Sequence, residues 1–375
     1  MRILSLFSGI GAFEKALKNI GIDYELVNYC EIDKFASKSY SLIHNENEDK
    51  NLRDVTKLDI ERLPVNIDLI THGSPCQDYS IAGLQKGGDI GSATRSSLMW
   101  NSVEIIRHCR PRYVIWENVS NVLSKKHKHN FEKYLKYLED IGYYNFYKIL
   151  NSKDFNIPQN RKRIFVVSVL GGNINSFEFP KEKTLKKTVF DILDEVVDGK
   201  YYISIDRFAE RNINNIENIE NESVGDFRYD KGFRIRKNNL APTLTCKIGS
   251  PSLSGNVLIF NKRIYDRYIE KTGDVNIRGV GNSPSSREYT GLKELAPTLC
   301  ARDYKDPKIV KFVEQGLTIR KLTPKECFRL MGFDDKDYQV CKDNNISDTQ
   351  LYKQAGNSIV VSVLEDIFRN LFFIN

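Results

Sequence analysis

The pattern of apolar and polar positions divides the chain into a regular first part and a less regular second part. Over the first 170 residues, short apolar runs alternate with amphipathic segments. Strands are predicted at Ile3–Phe7, Glu25–Tyr29, Ile67–Thr71, Tyr113–Trp116, Tyr147–Leu150 and Ile164–Val169, and helices at Ala12–Ile20, Phe35–His44, Leu98–His108 and Phe131–Ile141. Strands separated by helices at this spacing indicate a doubly wound α/β sheet.

The texture of the sequence changes after about residue 172. Residues 172–222 are rich in Asn, Lys and Glu, and residues 223–311 hold short β-like runs broken by Gly, Pro, Ser and Asn. Helical periodicity returns at Leu322–Leu330, and Ser358–Phe373 is predicted as a last helix that Asn357 and Ser358 cap. We therefore predict an α/β body of residues 1–172 and 313–375, interrupted by a smaller, irregular β-rich insert of residues 173–312.

Composition narrows the class of protein. Hydrophobic residues make up 41% and charged residues 28%, which is typical of a globular protein, and no apolar run approaches the roughly 18–20 residues of a membrane span. A cytoplasmic location is expected. The seven cysteines form no CxxC pair and the five histidines show no ligand spacing, so neither disulfides nor a metal site is expected. The net charge of +7 favours a polyanionic partner without identifying it.

A glycine turn follows the first predicted strand. In segment 7–13 (FSGIGAF), Gly9 and Gly11 allow the backbone to approach a ligand closely. A dinucleotide fingerprint would have a third glycine where this chain has Glu14. At the end of the second strand, Glu31 could hydrogen-bond both hydroxyls of a ribose. These features favour a nucleoside-bearing cofactor without a pyrophosphate, and a plain tight turn is the alternative.

Two residues at strand ends could take part in catalysis. Cys76, in segment 73–80 (GSPCQDYS), lies where α/β proteins place reacting groups, and as a thiolate it could attack an electrophilic carbon. A lone cysteine is more often a small buried hydrophobic residue. Glu117, in segment 116–119 (WENV), could hold a proton near neutral pH if it is partly desolvated, or it could simply begin a helix.

Two further segments carry groups suited to ligand binding. Segment 159–163 (QNRKR) offers arginines that could bind phosphates or a carbonyl oxygen, although a basic run is usually a solvated surface. Segment 354–358 (QAGNS) could bind the polar groups of a ligand at a helix entrance, or it could be an ordinary cap. Neither segment identifies a function by itself.

Taken in order, these motifs closely resemble those of the cytosine-C5 DNA methyltransferase family, in its bacterial and viral form. The resemblance covers roughly residues 1–170 and 315–375, and the insert between them is where that family keeps its variable target-recognition domain. The resemblance implies a Rossmann-like fold that binds S-adenosylmethionine. It also implies methyl transfer from that cofactor to C5 of a flipped-out cytosine in double-stranded DNA.

The resemblance implies catalytic roles for four residues. Cys76 would be the nucleophile that adds to C6 of cytosine, and Glu117 would protonate or hydrogen-bond N3. Arg163 would hold the O2 side and stabilise developing charge. Arg161 would steady the catalytic loop or the region of Cys76.

The resemblance also implies a set of cofactor contacts. They fall on Phe7, Ser8, Gly9, Gly11, Glu31, Ile32, Asp54, Val55, Leu98, Asn357 and Ser358. One of them is contested, because the family has Gly-Asp-Ile where this chain has Arg53-Asp54-Val55, with a rival Asp59 close by. The distance along the chain to Cys76 favours Asp54.

DNA contacts are implied in the loop after Cys76 and in the insert. Segment 83–97 resembles the family's mobile loop that closes over the flipped base, and Ser80 and Arg95 match positions that touch DNA. Two Pro-Thr-Leu sequences compete for the Thr-Leu pair of the recognition domain. We prefer the later pair, Thr298-Leu299, for its position, with Thr243-Leu244 as the alternative.

The expected partner is double-stranded DNA, bound by a monomer, and a cognate restriction endonuclease acting separately is compatible with the sequence. A tRNA cytosine-C5 methyltransferase of the same architecture is the nearest alternative, although a shorter insert would be expected there. A DNA-binding regulator without catalysis is a further alternative. The presence of Cys76, Glu117 and Arg163 together favours an active DNA methyltransferase.

Overall fold

The computed structural model describes residues 1–76, 78–79, 87–92, 94–202, 222–228, 232–236, 238, 240–245, 256–261 and 318–373. Its strands are β1 (Arg2–Leu6), β2 (Glu25–Cys30), β3 (Leu69–His72), β4 (Tyr113–Val119), β5 (Tyr143–Asn151), β6 (Gln159–Asn160), β7 (Lys162–Leu170), β8 (Glu222–Arg228), β9 (Gly232–Ile235), β10 (Ala241–Pro242), β11 (Val257–Asn261) and β12 (Thr318–Lys321). Its helices are α1 (Ala12–Asn19), α2 (Lys34–His44), α3 (Met99–Cys109), α4 (Lys128–Asp140), α5 (Pro324–Leu330), α6 (Asp335–Asp343), α7 (Asp348–Asn357) and α8 (Val361–Phe372).

The main sheet has six strands in the order β2-β1-β3-β4-β7-β5. Strands β1 to β4 run parallel to one another, whereas β7 pairs antiparallel with both β4 and β5. The chain passes from β1 to β2 on one side and later returns to β3 on the other, so the strand order reverses between β1 and β3. In open α/β sheets, ligands bind at the carboxyl ends of the strands beside such a reversal.

Helices cover both faces of this sheet. Successive strand residues point to opposite sides, and here both sides carry apolar side chains that must be buried. On β1, Ile3 packs in one buried apolar cluster and Leu4 in another. Leu69 and Ile70 on β3 divide in the same way. The first cluster includes side chains of α1 and α8, and the second includes side chains of α3 and α4. The doubly wound α/β sheet predicted from the sequence is confirmed. Within the described ranges, no helix has the length and apolar character needed to cross a membrane.

The predicted start of the last helix is wrong. Asn357 ends α7, and α8 begins only at Val361, with Val360 as an N-cap residue that makes no side-chain capping bond. Ser358 has an extended backbone and follows α7 directly. The Gly-Asn-Ser sequence therefore occupies the turn between two helices, where it ends one rather than capping the next.

The insert contributes three strands to a second sheet, and the fourth strand, β12, lies just beyond the predicted end of the insert. Strands β12, β11, β8 and β9 form, in that order, an antiparallel sheet of four strands among the described residues. This sheet agrees with the expected β-rich insert, whose exact bounds stay a prediction. Strand β10 is separate, because it pairs in parallel with β6 just before the basic segment of the body.

A buried ion pair fastens the small sheet to the carboxyl-terminal helices. Arg320 on β12 donates two hydrogen bonds of 2.8 Å to the carboxylate of Glu326 on α5, and both residues are almost fully buried. The same carboxylate accepts from the backbone N–H of Thr323 at 2.7 Å and of Asp194 at 2.9 Å. Because a buried carboxylate needs such partners, all four donors contribute to holding this joint.

Candidate active site

The loop that carries Cys76 is anchored from the neighbouring strand. It follows β3, and the side chain of Ser74 accepts a 3.0 Å hydrogen bond from Nε1 of Trp116 on β4. Asn118, also on β4, donates to the backbone oxygen of Ser74 at 3.1 Å. Sequence reasoning missed both anchors. One indication of these two contacts was present in the sequence: Trp116 and Asn118 flank Glu117 on β4, so their side chains point to the face of the sheet opposite to that of Glu117.

Glu117 and Arg163 form an ion pair beside this loop. Antiparallel pairing of β4 with β7 brings the two residues together, and Nε of Arg163 lies 3.0 Å from Oε1 of Glu117. A Cβ atom built on Gly73 would lie 3.7 Å from Oε2 of Glu117, which places the carboxylate directly under the loop that carries Cys76. The predicted acid and one predicted arginine therefore do meet next to the predicted nucleophile.

Burial shifts the pKa of both candidate groups, the Glu117 carboxyl and the Cys76 thiol. Burial raises the pKa of Glu117, which is only 8% exposed, and the charges of Arg163 and Arg161 partly oppose this shift. Burial also raises the pKa of the Cys76 thiol, again opposed by Arg163. Glu117 thus keeps its proton to a higher pH than an ordinary glutamate, as a proton donor must.

Arg161 is buried and joins three separate segments. Its guanidinium donates to the backbone oxygens of Leu244 at 2.9 Å, Ser358 at 2.6 Å and Gly356 at 3.4 Å. Burial lowers the pKa of Arg161 to about 9, so the side chain is still a cation at neutral pH. Arg161 therefore links the insert and the turn after α7 to the edge of the site, which no local sequence pattern indicated.

The glycine turn after β1 has a left-handed backbone at three positions. Phe7, Gly9 and Gly11 have φ angles of 53°, 58° and 80°. A Cβ atom on Gly11 would lie 2.1 Å from Nε2 of His44, so only glycine fits there. The hydroxyl oxygen of Ser8 is buried and has no hydrogen-bond partner among the residues that the structure describes. A buried polar atom without a partner is a ready contact for a ligand.

The second strand ends at the predicted ribose-binding residue. The carboxylate of Glu31 accepts from the backbone N–H of Gly9 at 2.9 Å and of Asp33 at 2.8 Å, so it lies against the glycine turn. Burial raises the pKa of Glu31, and these two N–H donors oppose the shift. The next residue, Ile32, is 73% exposed. An acceptor beside an exposed apolar side chain suits the ribose and the base of a nucleoside.

The rival positions Asp54 and Asp59 differ in their surroundings. Asp54 caps a short helical turn by accepting from both the N–H and the hydroxyl of Thr56, and Val55 behind it is buried. Asp59 is exposed. The residue before Asp54 is Arg53, with a φ of 63°, which is the backbone that the family's glycine would adopt. This favours Asp54 as the counterpart of the family's aspartate.

Replacing Arg53 with glycine is therefore expected to raise the free energy of unfolding by about 1 kcal/mol, because it relieves a left-handed backbone in a non-glycine residue. Urea denaturation would measure the change. Arg62→Gly is the matched control, since Arg62 lies in a short helical turn and its φ angle is not positive. There, glycine should be destabilising. Destabilisation by Arg53→Gly would contradict the strain argument.

The remaining cofactor candidates differ in their exposure. Leu98 is half-buried just before α3, and Ser358 is buried whereas Asn357 is exposed. Helix α7 is held against α2 by Gln354, which donates to the backbone oxygen of Phe35 at 3.0 Å. Since α2 begins just after Glu31, this contact brings the turn after α7 towards the ribose-binding end.

The predicted DNA contacts are described only in part. Ser80, Thr298 and Leu299 lie outside the described residues, as do residues 83–86 and 93 of the predicted loop, and Arg95 is exposed on the short turn before α3. The alternative Thr-Leu pair is placed: Thr243 donates to the backbone oxygen of Asn160 at 2.8 Å, and Leu244 is buried. Within the described part of the chain, no cluster of three or more His, Cys, Asp or Glu side chains is suited to a metal ion.

A doubly wound sheet with an antiparallel β7, a glycine turn after β1 and a cysteine loop after β3 defines an α/β methyltransferase. The chain belongs to the C-5 cytosine-specific DNA methylase family, whose model matches residues 1–372. It is 33% identical over 440 residues to the orphan methyltransferase M.SPRI of Bacillus phage SPR, covering 99% of this chain and 97% of that protein.

Two further comparisons agree. The chain is 33% identical over 359 residues to the type II methyltransferase M2.ScrFI of Lactococcus lactis subsp. cremoris, covering 95% of this chain and 81% of that protein. The fold is similar to that of the S. pombe Dnmt2 methyltransferase, with a TM-score of 0.60, 19% identity and coverage of 99% and 98% of the two chains. The resemblance drawn from the motifs is confirmed: the protein is an enzyme, a DNA (cytosine-5-)-methyltransferase, and its family implies S-adenosylmethionine as methyl donor and DNA as substrate.

Proposed function

We propose that the enzyme methylates C5 of one specific cytosine in double-stranded DNA through a covalent bond between Cys76 and C6. The observation that carries this proposal is the position of the Glu117–Arg163 ion pair under the loop of Cys76. A nucleophile, a buried proton donor and a cation paired with it are the groups that such an addition needs.

The residues around the glycine turn fit S-adenosylmethionine. The buried hydroxyl of Ser8 lacks a partner among the described residues, Glu31 offers a carboxylate to a ribose, and Ile32 exposes an apolar surface to a base. Phe7, Gly9, Gly11, Asp54, Val55, Leu98, Asn357 and Ser358 complete the proposed site. When bound, the cofactor supplies an electrophilic methyl group on a sulfonium.

The chain's own groups account for the activation of the base. The thiolate of Cys76 forms a bond to C6, which costs the aromaticity of the ring. Glu117, whose pKa is raised by burial, donates a proton or a hydrogen bond to N3, so that the electron pair reaches C5. Arg163 stabilises the charge on the O2 side. After C5 is methylated, water takes the C5 proton, the thiolate of Cys76 leaves C6, and any proton on N3 returns to Glu117, which restores the ring.

The target base must leave the duplex before it reaches Cys76, because C6 is inaccessible within the stack. We propose that Ser80, Arg95 and one Thr-Leu pair contact the DNA around the flipped base. Thr243 and Leu244 gain support from their contacts with segment 159–163, which carries Arg161 and Arg163. Thr298-Leu299 stays our prediction for sequence recognition.

We further propose a protective role for the methylation, exerted by a monomer. Its relatives include proteins named orphan methyltransferase and type II methyltransferase. The same reaction protects DNA with or without a separate restriction endonuclease. The tRNA alternative gains no support, because a structural likeness at 19% identity concerns the fold alone.

Bisulfite sequencing of genomic DNA from cells that express the protein tests the proposed reaction. We expect protected cytosines within one short sequence context, and none in cells that express Cys76→Ser. In parallel, methyl transfer from labelled S-adenosylmethionine to duplex DNA should exceed transfer to tRNA. Label in tRNA alone, or fully converted cytosines despite soluble protein, would overturn the proposal.

A further inference from the structure

The side-chain amide of Asn51 is fully engaged between two parts of the proposed cofactor site. Its oxygen accepts from the backbone N–H of Glu31 at 3.0 Å and of Arg53 at 2.8 Å. Its nitrogen donates to the backbone oxygen of Glu31 at 2.9 Å and to the hydroxyl of Ser37 at 2.8 Å. Two accepted and two donated bonds use the whole hydrogen-bonding capacity of an amide.

These bonds join two segments of the chain and add to other contacts between them, such as the hydrogen bond from the thiol of Cys30 to the backbone oxygen of Arg53 at 3.0 Å. Glu31 follows β2, whereas Asp54 lies beyond α2 and begins a separate short turn. Asn51 grips both peptide groups of Glu31 and, through Arg53, the residue next to Asp54. The backbone N–H of Leu52 also donates to the oxygen of Tyr29 at 2.7 Å, so the segment lies along the end of β2. Among these contacts, the amide of Asn51 is the one that bonds to the backbone of both Glu31 and Arg53, so it bears most directly on the spacing of the two acidic side chains.

We propose that Asn51 is a positioning residue that sets the spacing between Glu31 and Asp54 and thereby determines how strongly the enzyme prefers a ribose-bearing ligand. The proposal rests on the proposed function, in which these two carboxylates bind S-adenosylmethionine. Asn51 acts through Glu31, because its amide bonds to the backbone of Glu31 while the carboxylate is held by Gly9 and Asp33.

A merely structural role would have different consequences, and Asn28 provides the comparison. Asn28 lies on β2 and donates to the backbone oxygen of Lys50 at 3.1 Å, so it tethers the same segment. None of its described bonds reaches Glu31 or Arg53. If the segment only needed a tether, the loss of Asn28 and the loss of Asn51 would affect ligand binding alike.

The test measures binding of S-adenosylhomocysteine and of its 2′-deoxy analogue to the full chain by titration calorimetry. For Asn51→Ala we expect affinity for the ribose form to fall about 10-fold or more, because misplacing Glu31 forfeits hydrogen bonds to a charged group. The preference for ribose over deoxyribose should fall towards 1. Asn51→Asp keeps the two accepted bonds and should lie between these values, while Asn28→Ala should keep the preference within about 2-fold of the original.

A Glu31→Gln variant separates the inference from the function on which it rests. If Glu31→Gln keeps the ribose preference, the cofactor assignment itself fails. If Glu31→Gln loses the preference while Asn51→Ala or Asn51→Asp keeps it, only the positioning role of Asn51 is overturned. A uniform loss of affinity for both ligands in the Asn51 variants would also overturn it. If Asn51→Ala does not fold, Asn51→Asp decides by the same ratio.

Discussion

Replacing Cys76 with serine should reduce methyl transfer to duplex DNA by more than about 1,000-fold and leave the affinity for S-adenosylhomocysteine nearly unchanged. A serine hydroxyl is far harder to ionise than a thiol. Burial already raises the pKa of the Cys76 thiol, and the charges of Arg163 and Arg161 only partly oppose this shift. The proposed cofactor residues lie on other loops, so we expect their contacts with the cofactor to stay intact. Filter-binding assays with labelled cofactor and calorimetry would measure the two quantities.

Trapping with a suicide substrate makes this prediction specific for covalent catalysis. With S-adenosylmethionine and duplex DNA that carries 5-fluorocytosine at the target, the wild-type enzyme should form an adduct that survives denaturing electrophoresis, because the methylated C5 has no proton to lose and Cys76 cannot be eliminated. Cys76→Ser should form none. Cys109→Ser is the matched control: this buried cysteine ends α3, away from the proposed site, and its adduct should form normally. Undiminished turnover of Cys76→Ser would contradict the mechanism.

The main sheet could be predicted from the sequence because its evidence is local. Ile3 and Leu4 point to opposite faces of β1, and a strand that is apolar on both faces must be covered on both sides. The glycine turn could also be predicted, since a positive φ at Gly9 and Gly11 favours glycine and a Cβ atom on Gly11 would collide with His44. The meeting of Glu117 with Arg163 was implied by motif order, and the pairing of β4 with β7 accounts for it.

The contacts that hold the site could not be predicted, because they join residues far apart in sequence. Arg161 bonds to Ser358 across 197 positions, and Asn118 bonds to Ser74 across 44. Asn51 shows a second limit: an asparagine before a turn is common, and only the geometry reveals that three of its four hydrogen bonds go to the backbone of Glu31 and Arg53. The wrongly predicted start of α8 shows a third limit: in the sequence alone, an Asn-Ser pair that ends one helix cannot be told from a pair that begins the next.

The second large effect is expected at the joint between the small sheet and the carboxyl-terminal helices. Glu326→Gln should lower the free energy of unfolding by about 3–5 kcal/mol, because it leaves the guanidinium of Arg320 buried without a counter-charge. The new amide nitrogen would also face donors, since the carboxylate accepts from the N–H groups of Thr323 and Asp194. Urea denaturation followed by circular dichroism measures the change.

A double variant distinguishes the effect of an unpaired buried charge from the effect of lost packing between β12 and α5. In Arg320→Met combined with Glu326→Leu, no charge is left buried, so much of the stability lost in Glu326→Gln should return, although two N–H donors still lack an acceptor. Glu132→Gln removes an exposed ion pair with Lys128 and should change little. If Glu326→Gln proves as mild as Glu132→Gln, the joint does not depend on the ion pair. Strand β12 would then be held to α5 by the apolar contacts of Leu322 and Phe328 in the main buried cluster.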